Sequence, residues 1–227
     1  MSSGTLEEGQ VRAMFDRIAG VYDVMNSVMT AGLHHRWRER AVDLARVGPG
    51  SRALDVATGT GDLAIALAAR GADVVGSDFS EGMLERARTK NAEVRWEQAN
   101  ALALPYEDAT FDAATVGFGA RNFSDLRAGL AEMARVVRPG GRIVVLEITT
   151  PTKPPLSTFF SLWFDRIVPL LGRATGEDQA YTYLPSSVKR FPGPGELGAE
   201  LAGVGLQDVR WILTAGGIIA LHSGTVA

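Results

Sequence analysis

From Ser51 onward, short apolar runs alternate with longer stretches whose apolar residues recur at helical spacing. The runs fall at about 52–57, 73–78, 93–98, 111–118 and 142–148. Between them, about 61–70, 80–90 and 124–137 carry the three-and-four spacing of amphipathic helices. Such alternation predicts a parallel sheet with helices on both faces. Two more strands, 206–213 and 217–223, join through Thr214-Ala215-Gly216-Gly217 and read as a hairpin that adds an antiparallel strand. The expected class is therefore α/β, a sheet of seven strands, mostly parallel.

Two segments stand outside this rhythm. Residues 6–19 place Val11, Met14, Phe15 and Ile18 at helical spacing. A second helix, about 35–46, stops at Gly48-Pro49-Gly50. Between them, Tyr22-Asp23-Val24-Met25-Asn26 and His34-His35-Arg36-Trp37 mix aromatic, amide, imidazole and carboxylate groups. That mixture suits a lid, about 6–46, over a bound molecule. The second segment, 151–193, opens on Pro151, Pro154 and Pro155. Leu156–Gly172 is then strongly apolar, with Phe160, Trp163 and Phe164 at its centre and only Asp165 and Arg166 charged. It is too short and too broken to cross a bilayer. A buried helix, a homodimer interface and the wall of a greasy pocket all remain open. Residues 1–227 read as one domain carrying these two additions.

The chemistry concentrates in Leu54-Asp55-Val56-Ala57-Thr58-Gly59-Thr60-Gly61-Asp62. A strand can turn into a helix this tightly only through backbone shapes that a Cβ obstructs, so glycines belong there. The turn also matches a dinucleotide fingerprint, with Asp78 at about the right distance. An NAD site is therefore a competitor. Pyrophosphate, however, is an anion that seeks the positive end of a helix. Asp55 and Asp62 would repel it and instead suit a cation such as the ammonium and sulfonium of S-adenosylmethionine. Asp78, followed by Phe79, ends the next strand, where a carboxylate can take both ribose hydroxyls. Asn100-Ala101 closes the third strand and offers an amide and a backbone N–H to an adenine edge, or else a simple turn. Gly117-Phe118-Gly119-Ala120-Arg121-Asn122 follows the fourth strand, with two glycines beside an arginine–asparagine pair. A helix start capped at Asn122 or Ser124 is the plainer account of that loop.

Composition removes other classes. The net charge of −3 offers no basic face for nucleic acid. With no cysteine, thiolate catalysis, disulfides and cysteine metal sites are excluded, and no metal is expected. The N-terminus has neither the basic start nor the apolar core of a signal peptide. A cytoplasmic location is expected, with peripheral visits to the inner face of a membrane left open.

Taken together, the glycine turn, Asp78, Pro139-Gly140-Gly141 and the closing hairpin resemble the Rossmann-like class I S-adenosylmethionine-dependent methyltransferases. Further motifs narrow the resemblance. They are Tyr22-Asp23-x-Met25-Asn26, His34-x-x-Trp37, Phe118-Gly119-x-Arg121-Asn122, Leu146-Glu147, Tyr181-x-Tyr183-Leu184 and Leu221-His222-x-Gly224. They are similar to the quinone-biosynthesis C-methyltransferases, over about Met14 to Gly224. Gly117 and Ala120 depart from that pattern beside the pocket. The resemblance implies methyl transfer to a ring carbon of a polyprenylated hydroquinone, demethylmenaquinol first. A 2-methoxy-6-polyprenyl-benzoquinol or another phenolic lipid is the alternative, and an NAD-binding oxidoreductase is less favoured. On this reading Asp55, Thr58, Gly59, Thr60, Gly61, Asp78, Phe79, Asn100, Ala101 and Gly117 hold the cofactor. Tyr22, Met25, Asn26, Phe118, Phe160, Trp163, Phe164 and His222 line the substrate pocket. Arg121, Asn122, His34 and Tyr183 are the candidates for catalysis. The greasy wall at 156–171 then has a use, the isoprenoid tail.

Overall fold

A computed structural model describes residues 8–20, 22–23, 27, 30, 32–168 and 178–227. Helices α1 (Glu8–Ile18) and α2 (His34–Ala45) precede the sheet. Then follow β1 (Arg52–Val56), α3 (Asp62–Ala68), β2 (Asp73–Asp78), α4 (Glu81–Lys90) and β3 (Arg95–Gln98). β4 (Phe111–Gly117), α5 (Leu126–Val136) and β5 (Val137–Ile148) complete the alternating part. α6 (Leu156–Leu162), α7 (Asp178–Arg190) and α8 (Pro194–Gly203) intervene before β6 (Leu206–Thr214) and β7 (Ile219–Val226).

The strands lie in the order β3-β2-β1-β4-β5-β7-β6. β1 to β5 pair in parallel, and β7 pairs antiparallel with both β5 and β6. The hairpin therefore inserts its second strand, β7, into the sheet and leaves β6 at the edge. Both faces are buried because side chains alternate across a strand. Val144 and Leu146 join Leu63, Leu67, Leu84 and Trp96 under α2, α3 and α4. Ile143 and Val145 join Leu130, Met133, Leu197 and Leu201 under α5 and α8. Two cores on two faces explain why the central strands read as continuous apolar runs.

Local chemistry sets the helix starts. The Ser80 hydroxyl accepts the Met83 N–H at 3.1 Å and caps α4. Asp125, rather than Asn122 or Ser124, caps α5 by accepting the Ala128 N–H at 3.0 Å. Ala120–Asn122 instead forms a short 3₁₀ turn. α6 runs on into a wide π turn, Trp163–Ile167. α7 contains Pro185, whose ring removes a helical N–H.

Candidate active site

β1 is hydrogen-bonded to β2 on one side and β4 on the other, so the strand order reverses there. Open α/β sheets bind ligands in the crevice at such a point. Here the carboxyl ends of β1, β2 and β4 border a cavity of about 890 Å³, measured out to its open mouth. The turn after β1 has Gly59 at φ +58° and Gly61 at φ +86°. Gly61 is doubly constrained, since a Cβ there would lie 2.4 Å from the Trp96 ring. Trp96 itself is fixed by its indole N–H, which donates to the Asn91 carbonyl at 2.7 Å.

Two carboxylates face this cavity from strand ends. Asp55 is 1% exposed and accepts the Thr58 and Thr115 hydroxyls, both at 2.6 Å. Asp78 accepts the Gly59 N–H at 2.8 Å and the Ser80 N–H at 2.9 Å. Burial pushes each up to about 6, with the hydrogen bonds opposing it only in part. At Asp55 the Arg38 charge opposes it as well, yet burial prevails at both. At Asp62 burial does not prevail, which corrects the expectation from charge alone. Its carboxylate lies 3.2 Å from Arg38 and 2.7 Å from Lys90. Burial works to raise it, but the two cations outweigh burial and hold it below the usual range.

Lys90 also reaches Asp23 at 2.6 Å, and the Thr60 hydroxyl donates to Asp23 at 2.5 Å. Asp16 on α1 accepts from the Ser80 hydroxyl at 2.6 Å and the Gly82 N–H at 3.1 Å. Two acidic residues thus dock the N-terminal segment on the glycine turn and on the start of α4. The spacing of residues carries no sign of either contact.

A second cavity, about 1140 Å³, adjoins the first and shares Tyr22 and Phe118 with it. Its walls are largely apolar, including Trp37, Phe160, Trp163, Phe164, Leu184 and Ile218. Arg121 is the charged residue on that wall whose partner is also buried. Its Nη1 meets Glu147 at 2.8 Å, with side chains 7% and 1% exposed. Nη1 also donates to the Phe118 carbonyl. Burial disfavours the guanidinium charge, but Glu147, Tyr22 and Tyr183 raise it above its ordinary value. Arg121 Nε and Asn122 Oδ1 are buried without a hydrogen-bond partner among the described residues.

Of the residues singled out in the sequence, Asp55, Thr58, Gly59, Thr60, Asp78, Phe79, Asn100, Ala101, Gly117 and Asn122 line the first cavity. The Asn100 side-chain oxygen is also engaged in a turn, accepting the Leu102 N–H at 2.9 Å. Gly61 shapes the turn from behind. Phe160, Trp163, Phe164, His34 and Arg121 line the second cavity. Met25 and Asn26 lie outside the described residues.

Three placements correct the expectations. His222 faces away from both cavities, because Ile219 and Leu221 on the same strand take the other face. It is 1% exposed, bonds the Pro194 carbonyl at 2.8 Å and stacks on Trp211. Tyr183 lines neither cavity; it packs with Val11, Met14 and Ile18, beneath Arg190. His34 is on the wall, but both ring nitrogens are occupied. Arg38 can only donate, so His34 Nδ1 accepts from it, and Nε2–H donates to the Ser27 hydroxyl at 3.2 Å. Burial and the Arg38 charge lower His34 to about 4, so it is neutral and has no free lone pair to serve as base.

This strand order, with its antiparallel seventh strand and carboxylate-lined crevice, defines a class I S-adenosylmethionine-dependent methyltransferase fold. A solved S-adenosylmethionine-dependent methyltransferase of Thermotoga maritima superposes with a TM-score of 0.69 at 19% identity, covering 95% of this chain and 99% of that one. The chain belongs to the ubiE/COQ5 methyltransferase family, whose model matches residues 3–226. A demethylmenaquinone methyltransferase of Thermus thermophilus is 47% identical over 218 residues, 93% of this chain and 99% of its own length. A ubiquinone/menaquinone biosynthesis C-methyltransferase of Geobacter sulfurreducens is 41% identical over 96% of this chain and 89% of its own. The protein is thus an S-adenosylmethionine-dependent methyltransferase. Its first cavity suits that donor, since among the described residues neither Asp55 nor Asp78 forms an ion pair, although Arg38 also borders the cavity and acts on Asp55 from a distance.

Proposed function

We propose that the protein methylates a ring carbon of a polyprenylated hydroquinone, converting demethylmenaquinol to menaquinol. The observation that carries this reading is the large apolar cavity abutting the donor cavity, with Tyr22 and Phe118 common to both. An aromatic ring with an isoprenoid tail is the kind of acceptor such walls take. The similarity to demethylmenaquinone methyltransferases supports the naphthoquinol ring.

S-adenosylmethionine brings a methyl group already activated as a sulfonium. The protein therefore has to align the acceptor and handle one proton. Overall the ring carbon exchanges a hydrogen for the methyl group, and one proton leaves. Ionising the ring hydroxyl makes that carbon nucleophilic. Arg121 stays protonated near neutrality, so it acts as a donor to the developing phenolate and not as a base. Asn122, adjacent on the 3₁₀ turn, borders the first cavity beside Phe118, which both cavities share, and its unpartnered Oδ1 can hold a water that receives the proton. Asp55 balances the donor's positive charge, and Asp78 takes its ribose hydroxyls.

The substrate partitions into lipid. Phe159 lines the acceptor cavity and is 55% exposed, and Leu162 on the same helix is 53% exposed. Both support a peripheral visit to the membrane that carries the quinol, which cosedimentation with lipid vesicles tests.

The functional test is a panel of short-tailed naphthoquinols and benzoquinols incubated with S-adenosylmethionine and read by mass spectrometry. Faster methylation of the naphthoquinols supports the proposal, and turnover of benzoquinols alone overturns it. In the same assay Arg121→Ala lowers turnover while donor affinity stays near normal. A variant that loses donor affinity instead moves Arg121 to the other cavity.

A further inference from the structure

Glu147 stands next to last in β5, after the apolar run Ile143–Leu146, and is 1% exposed. A carboxylate so deeply buried is stable only with charge and hydrogen-bond partners. One residue supplies most of them. Glu147 Oε1 accepts from Arg121 Nη1 at 2.8 Å and from the Ile148 N–H at 2.8 Å. Its Oε2 accepts the Arg121 backbone N–H at 3.3 Å. The carboxylate therefore grips both the backbone and the head group of residue 121. With the Phe118 carbonyl on the same nitrogen, Nη1 is fully engaged, while Nε keeps a hydrogen that no atom of the described residues accepts. Other titratable and charged groups face the pair from the elements around it. Tyr22 and Tyr183 stand near the guanidinium, Arg190 lies over the Tyr183 ring, His34 lines the same cavity as Arg121, and Arg38, bonded to His34, lies 5.9 Å over the Phe118 ring.

We propose that Glu147 is a positioning residue that acts through Arg121, fixing the direction of the guanidinium and cancelling most of its charge. The acceptor hydroxyl then meets an aligned hydrogen-bond donor instead of a bare cation. This rests on the acceptor-side role given to Arg121 above. It has a consequence that mere structural support lacks. Without the carboxylate, the uncompensated Arg121 favours the phenolate, so the hydroxyl ionises at lower pH. An added net charge within about 4–6 Å moves such an ionisation by about one to three pH units.

The experiment measures kcat against pH, with S-adenosylmethionine and a short-tailed naphthoquinol, for the wild type, Glu147→Gln and Glu147→Asp. Thermal melting and donor titration run alongside. Glu147→Gln is expected to move the acid midpoint down by about one unit or more. Its kcat at the wild-type optimum falls roughly a hundredfold, because the guanidinium is no longer aligned. Donor affinity is unchanged. Glu147→Asp keeps the charge but shortens the arm, so it lowers kcat at the wild-type midpoint. An unmoved midpoint in Glu147→Gln overturns the proposal. If Glu147→Gln does not fold, Glu147→Asp decides alone: a shifted midpoint, or full wild-type turnover, overturns the proposal. A wild type that transfers no methyl overturns the reading of the site itself. An active wild type with an unmoved Glu147→Gln midpoint overturns only the role of Glu147.

Discussion

Replacing Asp55 by asparagine is expected to strengthen the fold and weaken the site. Asp55 is 1% exposed, and burial raises it from 3.8 to about 6. That rise is about two pH units, and at about 1.4 kcal/mol per unit the ionised carboxylate costs the folded chain about 3 kcal/mol. The sign follows from the direction of the shift. A raised folded value means that the fold favours the protonated form. Its contribution is fully present below 3.8 and is lost as pH rises through about 6. Asparagine is neutral throughout. Its partners, the Thr58 and Thr115 hydroxyls, can rotate to accept from the new amide as readily as they donate now. At pH 8 the variant should therefore be more stable than the wild type by up to about 3 kcal/mol in urea denaturation. The difference should shrink towards zero near pH 4. Titration calorimetry at pH 8 should show the opposite effect on S-adenosylmethionine, a loss of about 1.5–3 kcal/mol for a charged hydrogen-bond partner. A variant less stable at pH 8, or a gain equal at both pH values, would refute the argument that the site stores electrostatic strain for a cation.

Asp78→Ala should weaken S-adenosylmethionine binding by about 1.5–3 kcal/mol, measured by calorimetry, and unchanged affinity removes Asp78 from the site. In the wild type, donor affinity should fall as pH drops below about 6, where Asp55 and Asp78 take up protons, and a flat titration between pH 8 and pH 5 contradicts their role. Gly61→Ala should lose at least about 2 kcal/mol of stability, because the new Cβ meets Trp96 at 2.4 Å and φ is +86°. A melting temperature equal to the wild type's would show that Trp96 gives way freely.

The sheet is legible from the chain because its strands are buried on both faces and its helices on one, which yields two distinct periodicities. Asp55, Gly59 and Asp78 are legible because a strand end and a tight turn restrict what can stand there. The long-range partners are not. Glu147 meets Arg121 across 26 positions, and Asp16 meets Ser80 across 64. No periodicity links such pairs, although a lone carboxylate closing the apolar run Ile143–Leu146 is a signal that a counter-charge waits in the fold. Asp62 illustrates the opposite error. Its position beside the glycines suggests a ligand, but Arg38 and Lys90 arrive from two other helices and use its charge. His222 shows that a motif residue is as readily a strand residue facing the opposite core. α8 escapes notice because Gly195, Gly198 and Gly203 dilute its helical pattern.

The central claim is that a carboxylate-lined crevice presents an activated methyl group to a ring carbon in the neighbouring apolar cavity. Incubation with methyl-labelled S-adenosylmethionine and a short-tailed demethylnaphthoquinol, followed by reoxidation to the quinone, tests it directly. A label that remains on the ring through reoxidation is the predicted result. A label found on oxygen as a methyl ether, or no transfer at all, would contradict the account.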